Sequence, residues 1–252
     1  MIAIAQLEAA QSGSLLGRMS PLLKLGLAAL WLVGFVATPR VGPPLALAAA
    51  ASFAALVLGR VPAGSFLRGI APLWTAALGI AFFTALFSAA NRDPAARIVL
   101  AIGALRITDG AVADGLLLGA RVVAIAAISV AFARSTSPTA LADALVQQAR
   151  LPDRFAYGAL AAYQAVPRLS LDLVALREAR RLRGLRGDWH PRLLVALLVL
   201  AVRHADRLGL AMDARGFGRG PRSHFRPRRW EPLDLVMGLA GVALLGAVLA
   251  LA

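Results

Sequence analysis

Two tripeptides carry the side chains best suited to recognising another protein: Leu182-Arg183-Gly184 and Ala214-Arg215-Gly216. A guanidinium is a planar, permanently charged fork that hydrogen-bonds carboxylates and backbone carbonyls together, which a lysine cannot reproduce. A glycine directly behind it is also the commonest end of a helix, because glycine takes the left-handed conformation without a Cβ penalty. A cation in the last helical turn gains about 0.3–1 kcal/mol from the helix dipole. Each Arg-Gly therefore reads in two ways, as a stop signal or as a plug for a groove on a partner. The pair favours the plug, since two such ends on one chain suit a partner with two equivalent grooves, hence a dimer. Leu185-Arg186-Gly187 repeats the pattern at once, so Arg186 is an alternative to Arg183.

Other chemistries are poorly supplied. There is no cysteine, hence no disulfide, thiolate nucleophile or thiolate metal site. His190, His204 and His224 are far apart and form no His-Glu-x-x-His set, so they read as helix-end or surface residues, with no metal and no cofactor. A phosphate-binding loop needs Gly-Lys-Ser/Thr, yet the single lysine, Lys24, stands between Leu23 and Leu25. The chain cannot hydrolyse ATP by that route. Asp109-Gly110 with Ala120-Arg121 superficially suggests a lipid phosphotransferase, but the later aspartates that such metal chemistry requires on the same helix are missing. Arg121 itself falls within an apolar stretch, where a charge serves a solute or snorkels to the nearer surface.

The elements that must position these residues are membrane helices. Of 252 residues, 59% are hydrophobic and only 16% charged, against about 25% charged in soluble domains. The net charge is nevertheless +14, so charge and apolar spans must be segregated. Five apolar stretches cover residues 22–38, 44–59, 69–90, 115–133 and 233–252. A span needs about 20 residues to cross a core of about 30 Å, and the first two stretches lie at or below that length. The first reads as a retained span, since a compact basic start is absent. Residues 134–231 hold 18 of the 26 arginines against 8 acidic residues, which assigns that block to the cytoplasm. The expected fold is an all-α integral membrane protein of about five transmembrane helices plus a cytoplasmic module of amphipathic coupling helices. Its divisions fall at residues 1–133, 134–231 and 232–252, with the N-terminus inside and the C-terminus outside.

The basic block is patterned. Ser137-Pro138 opens a helix to about Gln148, a second runs through Phe155 and Tyr157, Val166-Pro167 opens a third, and His190-Pro191 a fourth. The run 193–202 is too short to span, and Leu198, Val202, Ala205, Leu208 and Met212 continue it as an amphipathic stripe. The arginines between Arg219 and Arg229, beside Phe225 and Trp230, precede a membrane span. Anionic headgroups suit them better than nucleic acid, at about 1 kcal/mol per arginine.

Motifs along most of the chain resemble the transmembrane T component (EcfT/CbiQ-like) of energy-coupling-factor transporters. They are Ser20-Pro21-Leu22-Leu23-Lys24-Leu25, Ile107-Thr108-Asp109-Gly110, Ser135-Thr136-Ser137-Pro138, Val166-Pro167-Arg168-Leu169 and Glu178-Ala179-Arg180-Arg181-Leu182-Arg183-Gly184. Met212-Asp213-Ala214-Arg215-Gly216-Phe217-Gly218 resembles the family's second motif closely, while Leu182 stands where the first motif carries alanine. The resemblance implies a non-catalytic subunit of an ABC importer in a bacterial plasma (inner) membrane. It implies two ABC ATPase subunits (homo- or heterodimer), a hydrophobic substrate-binding S component, and a vitamin or transition-metal ion as cargo. Arg183 and Arg215 would end the coupling helices that dock into the ATPases. The alternatives are a conventional ABC permease that binds solute itself, and a membrane-embedded enzyme.

Overall fold

The computed structural model describes residues 14–36, 38–92, 96–102, 105–185, 187, 189–218 and 226–250. Its contacts divide the chain into two compact units, Met1–Leu141 with Arg229–Ala252, and Ala142–Arg228.

The first unit is a helical bundle. A single turn, α1 (Leu15–Arg18), is capped by the Ser14 hydroxyl, which accepts from the Gly17 amide at 2.9 Å. It leads into α2 (Pro21–Val36) and then α3 (Gly42–Phe53), where Pro43 and Pro44 sit in the first turn and need no amide partner. Helix α3 passes directly into a π-helical turn, Ala54–Leu58, closed by the Gly59 amide on the Ala54 carbonyl at 2.8 Å. Helices α4 (Ala63–Phe87), α5 (Asp109–Ser135) and α9 (Pro232–Ala250) complete the bundle.

Ala63–Asn91, α5 and α9 are long and apolar enough to cross a membrane, while α2 and the α3–π segment are shorter apolar helices. At 1.5 Å per residue the 16 residues of α2 reach about 24 Å, short of a core of about 30 Å. The five apolar helices follow the five apolar stretches of the sequence, and the molecule is an all-α membrane protein. One difference is a two-stranded antiparallel hairpin, β1 (Ile98–Ile102) and β2 (Leu105–Thr108), between α4 and α5. It lies between the third and fourth apolar stretches. Asn91 secures the hairpin's base, its amide donating to the Ala85 and Leu86 carbonyls and its carbonyl accepting from Thr108 N at 2.9 Å.

Small residues set the tightest packing. A Cβ on Gly115 would stand 2.4 Å from the Ala81 carbonyl, and one on Gly119 would stand 3.0 Å from the Ala81 Cβ. Backbones of α4 and α5 approach this closely only because those positions carry no side chain. Around the apolar core of Phe35, Leu47, Phe66, Ile70, Ile128 and Leu245 run a few polar ties. Asp234, only 3% exposed, accepts from Ser20 N at 2.6 Å and Glu231 N at 3.0 Å, joining the starts of α2 and α9. Lys24 Nζ donates to the Ser135 carbonyl at 2.8 Å, and Trp31 Nε1 to the Gly241 carbonyl at 3.0 Å. Arg121 has a structural employment: its guanidinium donates to the Val36 and Thr38 carbonyls at 3.1 and 2.9 Å, satisfying acceptors at the end of α2.

The second unit is built on α6 (Pro138–Gln147, whose start belongs to the first), α7 (Asp153–Leu182) and α8 (Pro191–Ala214). Here the expectation of a helix beginning at Val166-Pro167 is corrected, because Pro167 lies inside the continuous α7. The prolines that start α6 and α8 each follow a side-chain acceptor. Ser137 Oγ accepts from Ala140 N at 3.2 Å, and His190 Nδ1 accepts from Arg192 N at 3.1 Å. Val166 offers no acceptor, so a break there would orphan several amides, whereas running through Pro167 forfeits about one backbone bond. Tyr157 Oη donates to buried Asp143 at 2.9 Å, tying α7 to α6. Burial first, and that carboxylate second, push the Tyr157 hydroxyl up to about 12.

Candidate partner-docking site

Both Arg-Gly ends fold into the same structure. Arg183 follows the last residue of α7, and Gly184 turns left-handed at φ +72°. Leu185 N then donates to the Arg180 carbonyl at 3.1 Å and Gly184 N to Arg181 at 3.0 Å. At the end of α8, Gly216 has φ +68°, Phe217 N donates to Met212 at 2.9 Å and Gly216 N to Asp213 at 2.9 Å. These are two Schellman turns, matched bond for bond. The stop reading of the glycines is therefore correct, and it leaves an arginine at the cap position of each helix. Both Arg183 and Arg215 are exposed, as are Leu182, Gly184 and Ala214, while Gly216 is half-buried. The alternative Arg186 lies outside the described residues; Gly187 beside it has φ +94°.

The two tips are not brought together. Arg154, in the first turn of α7, donates to the Gly218 carbonyl at 3.4 Å, so the chain just beyond Arg215 rests at the start of α7. Arg183 stands at its other end. With 30 residues, α7 is up to about 45 Å long, and that length separates the two arginines.

Apolar surface accompanies them. Leu182 is 89% exposed, and Leu185 and Trp189 in the following loop are exposed too, giving the Arg183 tip an apolar collar. Leu185 and Trp189 were missed in the sequence, although two large apolar residues between glycine-bearing turns were a signal. Along the shafts, Phe155, Tyr163, Val166, Leu171 and Val174 of α7 are exposed. So are Leu194, Val195, Leu198, Val199 and Val202 of α8, while little beyond Ala156 and Leu193 is buried on either helix. A face that wide and apolar is not solvated at rest without cost. Chemically the module offers charged forks at its extremities and a greasy surface between them. Among the described residues no group of His, Asp and Glu is arranged to hold a metal; His190 serves α8 as its cap, and His224 lies outside those residues.

The motifs extend to whole-chain similarity. An energy-coupling factor transporter transmembrane protein EcfT of Limosilactobacillus fermentum is 28% identical over 242 residues, 88% of each chain. The protein of that description from Listeria innocua is 27% identical over 212 residues, 77% of each. A putative ABC transporter ATP-binding protein of Bifidobacterium longum is 28% identical over an alignment of 257 positions that covers 94% of this chain but 32% of that relative, so the chain spans about a third of its length. The family model CbiQ, described as cobalt transport protein, matches residues 12–225, a stretch that includes both Arg-Gly ends. With its apolar helical bundle, its module of long helices and a family match over most of its length, the chain belongs to the CbiQ family as an EcfT-like transmembrane component of an energy-coupling factor transporter.

Proposed function

We propose that this chain is the coupling subunit of an energy-coupling-factor importer, passing ATP-driven motion from two ATPase subunits to a separate substrate-binding membrane subunit. The observation that carries this is the pair of identical helix ends, each presenting an exposed arginine and separated by the length of α7. One tip fits one groove on each half of an ATPase dimer; a single groove could not take both. The ATPases hydrolyse ATP, and closure of their dimer draws the tips at Arg183 and Arg215 toward each other. The exposed apolar shafts of α7 and α8 form the seat for the hydrophobic binding subunit, which carries a vitamin or a transition-metal ion. Solute contacts then belong to that subunit. The module faces the cytoplasm of a bacterial plasma membrane, in keeping with its excess of arginine.

The test is charge reversal at both tips, Arg183→Glu with Arg215→Glu. Charge-assisted hydrogen bonds contribute about 1.5–3 kcal/mol each, so the double variant should lose ATPase co-purification and uptake. Its own melting transition should remain cooperative, because both side chains are exposed. Undiminished capture and transport would exclude docking through these arginines.

A further inference from the structure

A cavity of about 550 Å³ lies within the bundle among α2, α3, its π turn, α5 and α9, and coupling makes no use of it. It is several times the size of the ~150 Å³ apolar cavity that accommodates benzene. Its wall is apolar almost throughout, the polar exceptions, Lys24 and Ser135, standing together at one end. Three observations bear on what fills it. Lys24 to Trp31 line it on α2 and Met237 to Leu244 on α9, a helix rise of about 10 Å in each case, which fits inside one leaflet of a core of about 30 Å. Its large lining residues Phe53, at 61%, and Leu244, at 37% exposure, are surface residues. Both stand well inside their helical segments rather than at the ends, so the opening faces sideways, where acyl chains are the solvent. The third observation is charge. The end with Ser135 carries the chain's single lysine, and exposed Arg18, paired with Glu231 at 3.9 Å, follows there between the lining residues Leu16 and Met19. The π turn widens α3 where Ala54 and Leu58 form the wall, and such turns are found mostly at functional sites.

We propose that this cavity is a binding site for one acyl chain of an anionic phospholipid, whose phosphate lies at the Lys24 and Arg18 end. A chain lodged there touches four helices of the bundle at once. The indole of Trp31, on the wall, reports occupancy directly. In full-length protein carrying Trp74→Phe, Trp189→Phe and Trp230→Phe, Trp31 fluorescence is titrated in micelles with phosphatidylglycerol or phosphatidylcholine brominated on the acyl chain. Saturable quenching at about one lipid per chain is expected, with about a fivefold preference for phosphatidylglycerol, the factor one basic residue supplies near an anionic surface. Lys24→Gln should abolish the preference while leaving quenching by phosphatidylcholine. Filling the cavity by Ala50→Phe, or independently by Ala131→Leu, should remove the saturable component. Gly26→Leu, at a position with open space around it, should leave it intact. Quenching that never saturates, equal quenching by the two lipids, or no change in either filled variant overturns the proposal. So does loss of quenching when the assembled transporter is titrated instead, which would make the cavity a seat for a partner's helix.

Discussion

In the membrane bundle, Gly115 lets α5 approach α4 until the Ala81 carbonyl occupies the space of a missing Cβ, and Asp234 ties two helix starts from the interior. In the second unit, α7 and α8 pack on each other yet leave most of their large apolar side chains exposed. Both regions expose large apolar side chains, but the bundle encloses a core of Phe35, Leu47, Phe66, Ile70, Ile128 and Leu245, whereas on α7 and α8 little beyond Ala156 and Leu193 is buried. Composition alone does not make that distinction, since both units are rich in Leu, Val and Ala. The difference lies in what the small residues do. Glycines of α5 serve contact, whereas Gly184 and Gly216 serve direction, setting the chain's exit at positive φ with nothing near them for a side chain to strike.

Four variants break or sharpen that contrast. The largest effect belongs to Gly115→Leu, which sets a side chain against backbone and should cost about 3 kcal/mol or more, read as a collapse of the melting transition in micelles. Gly26→Leu, in open space, is the matched control and should melt like the parent. Asp234→Ala comes next: two amides lose a charged acceptor in a buried setting, a loss of about 2 kcal/mol by the same measurement, which Asp234→Asn should partly restore. If neither variant moved the transition, the bundle would not be the self-sufficient half.

Gly184→Ala with Gly216→Ala imposes the left-handed conformation on residues with a Cβ, at about 1–2 kcal/mol each. Because these turns lie at helix ends, fraying absorbs much of that, so the melt should shift little while ATPase capture in a pull-down falls clearly. Equal loss of both would mean the glycines act through stability and not direction. The smallest effect is Tyr157→Phe, at most about 1 kcal/mol at neutral pH. The Tyr157 hydroxyl titrates higher when folded, near 12 against 10.0, so its contribution is intact below pH 10 and disappears as pH rises toward 12. Circular dichroism between those values should show the parent losing stability that Tyr157→Phe has already lost.

The helices were legible in the sequence wherever an apolar run met a clear cap. Ser137 and His190 announced the starts of α6 and α8 because their side chains accept an amide, and the glycines announced both ends. Pro167 misled because proline was weighed without asking what the preceding residue could accept. The hairpin was missed because Ile98, Val99 and Leu100 lie in a short stretch where strand and loop compositions overlap. Arg121 was read as a charge that snorkels or serves a solute, since its acceptors at Val36 and Thr38 lie more than eighty residues away. As for the tips, residue types and the helix stop were readable. Their separation was not, because it depends on the Arg154–Gly218 contact that fixes which ends of α7 and α8 coincide.

Pro167 sits close to the midpoint of α7, and its missing amide removes one rung where the shaft is otherwise continuous. A slender column squeezed from its two extremities yields at its weakest section, and here that section lies halfway along. On the coupling reading, inward force from both ATPases would therefore bow α7 at its centre, and a binding subunit seated on the shaft would be tilted by that bowing while the ends stay docked.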